Sequence, residues 1–140
     1  MWLSLEHRNK KPNDIHEGKW NGLGGKFEEG ETPEECVVRE ILEESGLSIQ
    51  NPTLWGLLMF PKFKGNDWYV FVFTAHDFTG ELIDSPAGKL EWIPDETILG
   101  LNLWESDHIF MPWIAEGKFF SAKFEYDGDT MRRYNVVFHP

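Results

Sequence analysis

Hydrophobic and polar positions along the chain change period several times, and each change marks an element. Residues 1–7 set Trp2, Leu3 and Leu5 among polar partners and predict a strand. Residues 8–19, with Pro12, Asn13, Asp14 and Gly18, predict a polar loop, after which residues 20–23 resume an extended run. Residues 47–63 are mostly apolar with an early break at Asn51-Pro52, and residues 68–76 are rich in Val, Phe and Tyr. A tight turn at Gly65-Asn66-Asp67 between these runs predicts a hairpin whose dense strands are covered on both faces. A loop at 79–88 leads to a short strand at 89–93 and a turn or short helix at 94–99. Residues 106–117 carry Ile109, Phe110, Trp113 and Ile114 on one side and predict a helix capped by Ser106 or Asp107 and ended by Gly117. Pro112 would orphan the His108 carbonyl in that helix, so the expectation is a distorted first turn or a start near Met111. Residues 119–126 and 131–138, joined by Asp127-Gly128-Asp129, predict a closing hairpin, and the chain shows no repeat or low-complexity segment.

The most informative stretch is the helix that begins after Thr32. Thr32 suits an N-cap, Pro33 the first helical position, Glu35 completes a capping box, and Gly46 ends the run. At about 100° per residue, Val37, Val38, Ile41 and Leu42 share an arc expected to pack, while Glu40, Glu43 and Glu44 gather on another arc near Cys36. Carboxylates at such spacing repel and weaken an isolated helix by a few tenths of a kcal/mol per pair. A hard divalent cation bridged to phosphate would turn that repulsion into coordination. A solvated acidic face is the ordinary reading of a Glu-rich helix, and spacing alone leaves both readings open.

Composition narrows the choices. The chain of 140 residues is expected to form a single domain over 1–140 with a substantial core. It contains no apolar run long enough for a transmembrane helix and no signal-peptide pattern, so a cytoplasmic setting is expected. The single cysteine, Cys36, excludes an internal disulfide framework and is read as packing. A net charge of −11 argues against a general nucleic-acid binder. Residues 1–26 nevertheless carry five basic groups (Arg8, Lys10, Lys11, Lys19, Lys26) against three acids, enough to meet a small polyphosphate beside the acidic helix. The histidines His7, His16, His76, His108 and His139 lack zinc-ligand spacing.

The decisive pattern is Gly25, five residues, Glu31, seven residues, Arg39-Glu40-Ile41, one residue, Glu43-Glu44, one residue, Gly46-Leu47. It resembles the Nudix box without departure. With residue usages near 6%, its seven fixed positions coincide by chance roughly a few times in a billion. The resemblance implies an α/β fold, a three-layer α/β/α sandwich around a mixed sheet. It also implies hydrolysis of a nucleoside diphosphate linked to another group with Mg²⁺ or Mn²⁺ as cofactor. Gly25, Glu40, Glu43 and Glu44 correspond to the metal ligands, Glu44 or Glu43 to the group that polarises water, and Arg39 with Glu31 to the pair that orients the helix carboxylates.

The similarity extends to the MutT and MutX type of Nudix proteins. It is carried by Trp20-Asn21-Gly22-Leu23-Gly24-Gly25-Lys26, Leu90-Glu91-Trp92, Trp104-Glu105-Ser106-Asp107 and the run 119–124. That likeness implies cleavage of oxidised purine nucleoside triphosphates such as 8-oxo-dGTP to monophosphate and pyrophosphate. Asn21 and Asp107 would read the base edge, Trp104 would stack on its face, and Lys26 would meet the phosphates. Three departures stand beside it. The mammalian homologue has paired aspartates where Ser106-Asp107 stand, Pro86-Ala87 occupy a position where the family often has a further Glu, and a strand expected ahead of residues 1–7 is missing. The last leaves open a truncated N-terminus or an authentic short form. Alternatives are a Nudix hydrolase of ADP-ribose, a dinucleoside polyphosphate or capped RNA, and a non-catalytic nucleotide-sensing module. The expected partner is a nucleotide, neither a membrane nor duplex nucleic acid, with the protein a monomer or homodimer.

Overall fold

A computed structural model describes residues 2–6, 21–84 and 89–140, with the backbone alone at 2–6 and at Asn21. The loop expected at 8–19, with Arg8, Lys10, Lys11, Lys19, His7 and His16, lies outside the described residues, as do Pro86 and Ala87. The elements in chain order are β1 (Trp2–Glu6), β2 (Asn21–Gly22), α1 (Pro33–Ser45), β3 (Ser48–Gln50), β4 (Thr53–Phe63), β5 (Asn66–Thr74), β6 (Asp77–Thr79), β7 (Lys89–Ile93), a 3₁₀ turn (Asp95–Gly100), α2 (Glu105–Ala115), β8 (Phe119–Asp127) and β9 (Thr130–His139). They group into two compact units, Met1–Pro52 with Ala75–Leu103 and Thr53–Thr74 with Trp104–Pro140.

In the first unit β1 lies between β2 and β7, antiparallel to both, and β3 pairs antiparallel with β6. The ends of α1 follow the sequence. The Thr32 hydroxyl accepts the Glu35 amide at 3.1 Å and the Glu35 carboxylate accepts the Thr32 amide at 2.9 Å, closing the capping box. Gly46 adopts the left-handed conformation at φ 81° and donates to the Leu42 carbonyl at 2.9 Å. The packed face differs from the expected aliphatic arc: Leu42 is 50% exposed, and the buried helical residues are Cys36 and Ser45. The two ends of the helix are covered by different neighbours, which explains the difference. Cys36 lies against the Gly25 carbonyl, whereas the Ser45 carbonyl accepts the Ile83 amide at 2.9 Å and its hydroxyl accepts the Leu47 amide at 3.1 Å.

The second unit is a mixed sheet in the order β5-β4-β8-β9, parallel only between β4 and β8. Alternation along β8 turns Phe120, Ala122 and Phe124 inward, where they bury with Leu58 and with Phe110 of α2. Trp113 of α2 packs edge-on to Phe120 at 5.2 Å and stacks on Phe124 at 6.4 Å between centroids. The β4–β5 hairpin turns one residue earlier than expected. Phe63 pairs with Asn66, and Lys64 and Gly65 both take positive φ (53° and 82°), as a two-residue hairpin turn with right-handed twist requires. Its strands are not covered throughout, since Tyr69 and Val70 of β5 are exposed. Helix α2 also departs from expectation. It starts at Glu105, runs through Pro112, and has no side-chain cap, because its N-cap residue is Trp104 and Ser106 lies inside the first turn, bonded to Tyr126.

Candidate active site

The glycine-rich approach to α1 brings backbone against carboxylates. Gly30 takes positive φ (81°) and turns the chain so that the Glu31 amide donates to the Glu28 carbonyl at 3.2 Å and the Glu28 amide donates to the Glu31 carboxylate at 2.7 Å. Arg39 reaches this turn from the helix. Its Nε and Nη2 grip the two oxygens of Glu31 at 2.6 and 2.9 Å, a bidentate fork. Its Nη1 donates to Glu40 at 2.7 Å and to Glu43 at 3.1 Å, and Nη2 donates to the Lys26 carbonyl at 2.9 Å. One planar guanidinium thus ties the turn, the loop backbone and two helix carboxylates together.

Electrostatics follow from these contacts. The Arg39 hydrogen bonds, helped by the Glu28 amide, hold the Glu31 carboxyl at about 2 against a usual 4.5. Glu31, then Glu40, push the Arg39 guanidinium further up. Burial pushes the Cys36 thiol up, with the Glu31 and Glu40 charges adding to the rise and the Arg39 charge and hydrogen bond opposing it. Cys36 therefore stays a thiol, 4.0 Å from the Gly25 carbonyl and 3.9 Å from Arg39 Nη2, and serves as packing as expected.

Two of the carboxylates proposed for a metal, Glu40 and Glu44, lie against the Gly24–Gly25 step. The Glu44 carboxylate accepts the Gly24 amide at 3.3 Å. The Glu40 carboxylate lies so close over Gly25 that a Cβ there would collide with it. The structure draws Glu43 instead toward Arg39. Among the described residues, no group of three His, Cys, Asp or Glu side chains is gathered as a ready-made metal cage. A hard cation does not need one: Mg²⁺ takes one or two carboxylates and completes its shell with water and substrate phosphate. The all-oxygen set of the Gly25 carbonyl and the Glu40, Glu43 and Glu44 carboxylates fits that chemistry.

The residues proposed to read the base lie in the second unit, apart from Asn21, whose side chain is outside the described residues. Trp104 is 6% exposed and meets Phe63 and Tyr126 edge-on, at 5.6 and 5.5 Å between centroids and 81° and 86° between planes. Asp107 follows in the first turn of α2, its amide donating to the Trp104 carbonyl at 3.0 Å. Sequence reasoning missed Tyr126, whose hydroxyl engages Ser106. The available signal was a hydroxylated aromatic continuing the inward row Phe120–Phe124, since a buried Tyr needs a polar partner.

The NUDIX domain profile matches residues 3–114. The chain belongs to the Nudix family. It is 35% identical over 122 residues to the mouse oxidized purine nucleoside triphosphate hydrolase, covering 85% of this chain and 78% of the relative. It is 34% identical over 95 residues to the Escherichia coli 8-oxo-dGTP diphosphatase, covering 68% and 70%. The crystal structure of a mutator MutT protein from Bacillus halodurans superposes with a TM-score of 0.83 at 32% identity, over 96% of this chain and 88% of that one. The α/β Nudix fold, with its mixed sheet and helices, is thereby established, and α1 with its approach loop is the Nudix loop–helix. Nudix hydrolases generally need a divalent metal, which agrees with the oxygen donors found here. Among the described residues no helix is long and apolar enough to cross a membrane.

Proposed function

We propose that this chain is a pyrophosphohydrolase of oxidised purine nucleoside triphosphates such as 8-oxo-dGTP, releasing the monophosphate and pyrophosphate with Mg²⁺ or Mn²⁺. It acts as a single Nudix domain on the cytoplasmic nucleotide pool. The observation that carries the reading is the Arg39–Glu31 fork with Glu40 and Glu44 drawn to the Gly24–Gly25 backbone, in a chain 35% identical to a mouse hydrolase of oxidised purine triphosphates. The Gly25 carbonyl and the Glu40, Glu43 and Glu44 carboxylates would hold the ion. The chemistry supplied by that ion when bound is neutralisation of phosphate charge and activation of the attacking water.

The chain's own residues do the rest. Glu44, oriented by the Gly24 amide, holds the water for in-line attack on phosphorus and accepts its proton, with Glu43 beside it. Arg39 and Glu31 are positioning residues: their fork keeps Glu40 and Glu43 from swinging apart under mutual repulsion. Lys26 meets the polyphosphate. Trp104, held in one plane by Phe63 and Tyr126, stacks on the base, while Asn21 and Asp107 read its edge. A short polar side chain discriminates because a base lacking the matching group leaves it unpaired.

The test is kcat/KM across 8-oxo-dGTP, dGTP, 2-hydroxy-dATP, ADP-ribose and a dinucleoside polyphosphate, in Mg²⁺ and in Mn²⁺. An oxidised purine triphosphate should lead the panel. Preference for ADP-ribose or a dinucleoside polyphosphate would keep the box chemistry and discard the base assignment.

A further inference from the structure

We propose that Tyr126 is a positioning residue that sets base selectivity by locking the first turn of α2, the turn that carries Asp107; this rests on the base-reading role given to Asp107 above. The Tyr126 hydroxyl accepts the Ser106 amide at 3.0 Å and donates to the Ser106 hydroxyl at 3.0 Å, across twenty residues of sequence. Ser106 is 2% exposed, so neither of its groups can turn to water instead. Trp104, the N-cap residue, supplies no side-chain cap, and the phenol thus fills from outside the helix the role a capping side chain usually plays.

The same tyrosine holds the stacking partner. Its ring packs edge-on to Trp104 at 86° and to Phe63 at 69°, so a single side chain fixes both the indole plane and the turn that follows it. Burial pushes the phenol up, the Ser106 hydrogen bonds oppose this, and the Asp107 and Glu105 charges add to the rise. The hydroxyl therefore remains a donor at neutral pH. Ser106, occupied in this way, is not available to the base, and edge reading from this turn falls to Asp107.

Tyr126→Phe would leave a buried amide and a buried hydroxyl without their partner, and the turn must shift to relieve them. A shift of the turn alters hydrogen-bond geometry at the base more than it alters chemistry at the Nudix helix. The test is calorimetric titration with 8-oxo-dGMP and dGMP, which needs no turnover, on wild type, Tyr126→Phe, Ser106→Ala and Asp107→Ala. The preference for the oxidised base should fall about tenfold in Tyr126→Phe. It should fall less, about threefold, in Ser106→Ala, where the amide contact remains. An unchanged preference in Tyr126→Phe beside a lost one in Asp107→Ala would overturn this inference and leave the base reading standing. Should Tyr126→Phe not fold, Ser106→Ala decides by the same criterion. A wild type without preference, or an Asp107→Ala that keeps it, would overturn the base reading and this inference with it.

Discussion

In the proposed mechanism, Glu44, Arg39 and Glu31 divide the chemistry among single residues. The Glu44 carboxylate accepts the Gly24 amide, and replacing it by the isosteric amide changes charge and basicity while keeping the side chain's shape. Glu44→Gln is expected to lower kcat by about 10²–10⁴-fold, the range for a lost general base, with an unchanged circular dichroism spectrum. Arg39→Lys keeps the charge and loses the fork. Positioning partners of ligating groups are worth about 10–100-fold, so kcat should fall by that amount and extra metal should not restore it. The low Glu31 pKa fixes the sign of an acid effect: the Glu31–Arg39 pair contributes fully above about 4.5 and is lost as pH falls through about 2. A carboxyl carbon titration by NMR should place the Glu31 midpoint well below 4.5, and a midpoint near 4.5 would refute the fork.

At the scale of elements, what was legible in the sequence was local. Thr32, Pro33, Glu35 and Gly46 announce α1 because each satisfies or tolerates a backbone requirement of its own end. Thr32→Ala should therefore lower stability by about 1 kcal/mol in denaturant unfolding. Gly46→Ala should exceed the roughly 1 kcal/mol of an ordinary glycine replacement, since a Cβ there would meet the Glu81 carbonyl at 2.6 Å and the Ile83 side chain at 2.7 Å in a left-handed residue. The start of α2 was not legible, because its N-cap residue, Trp104, has no capping side chain and the Ser106 amide of the first turn is taken by a tyrosine twenty residues away. Nor was the β4–β5 turn placed correctly: Asn66 and Asp67 are turn formers by type, yet the positive φ falls at Lys64 and Gly65. The burial of the Ser45 end of α1 was likewise hidden, since the Ile83 amide that meets it comes from a distant loop.

For the molecule as a whole, the seven fixed box positions carried the family, and the fold followed from it. The parallel pairing of β4 with β8 joins strands separated by more than fifty residues, a match that no local period encodes. The proposed base site is similarly non-local, since the aromatic contacts around Trp104 come from Phe63 and Tyr126. Asp107→Ala is expected to reduce the ratio of kcat/KM for 8-oxo-dGTP over dGTP by about tenfold or more while sparing hydrolysis of dGTP, and equal losses on both would count against base reading. The most direct measurement is ³¹P NMR of the products formed from 8-oxo-dGTP with and without Mg²⁺. Monophosphate and pyrophosphate, formed only when metal is present, are the expected result; orthophosphate with a diphosphate, or turnover indifferent to metal, would contradict a Nudix pyrophosphohydrolase built on Glu40, Glu43 and Glu44.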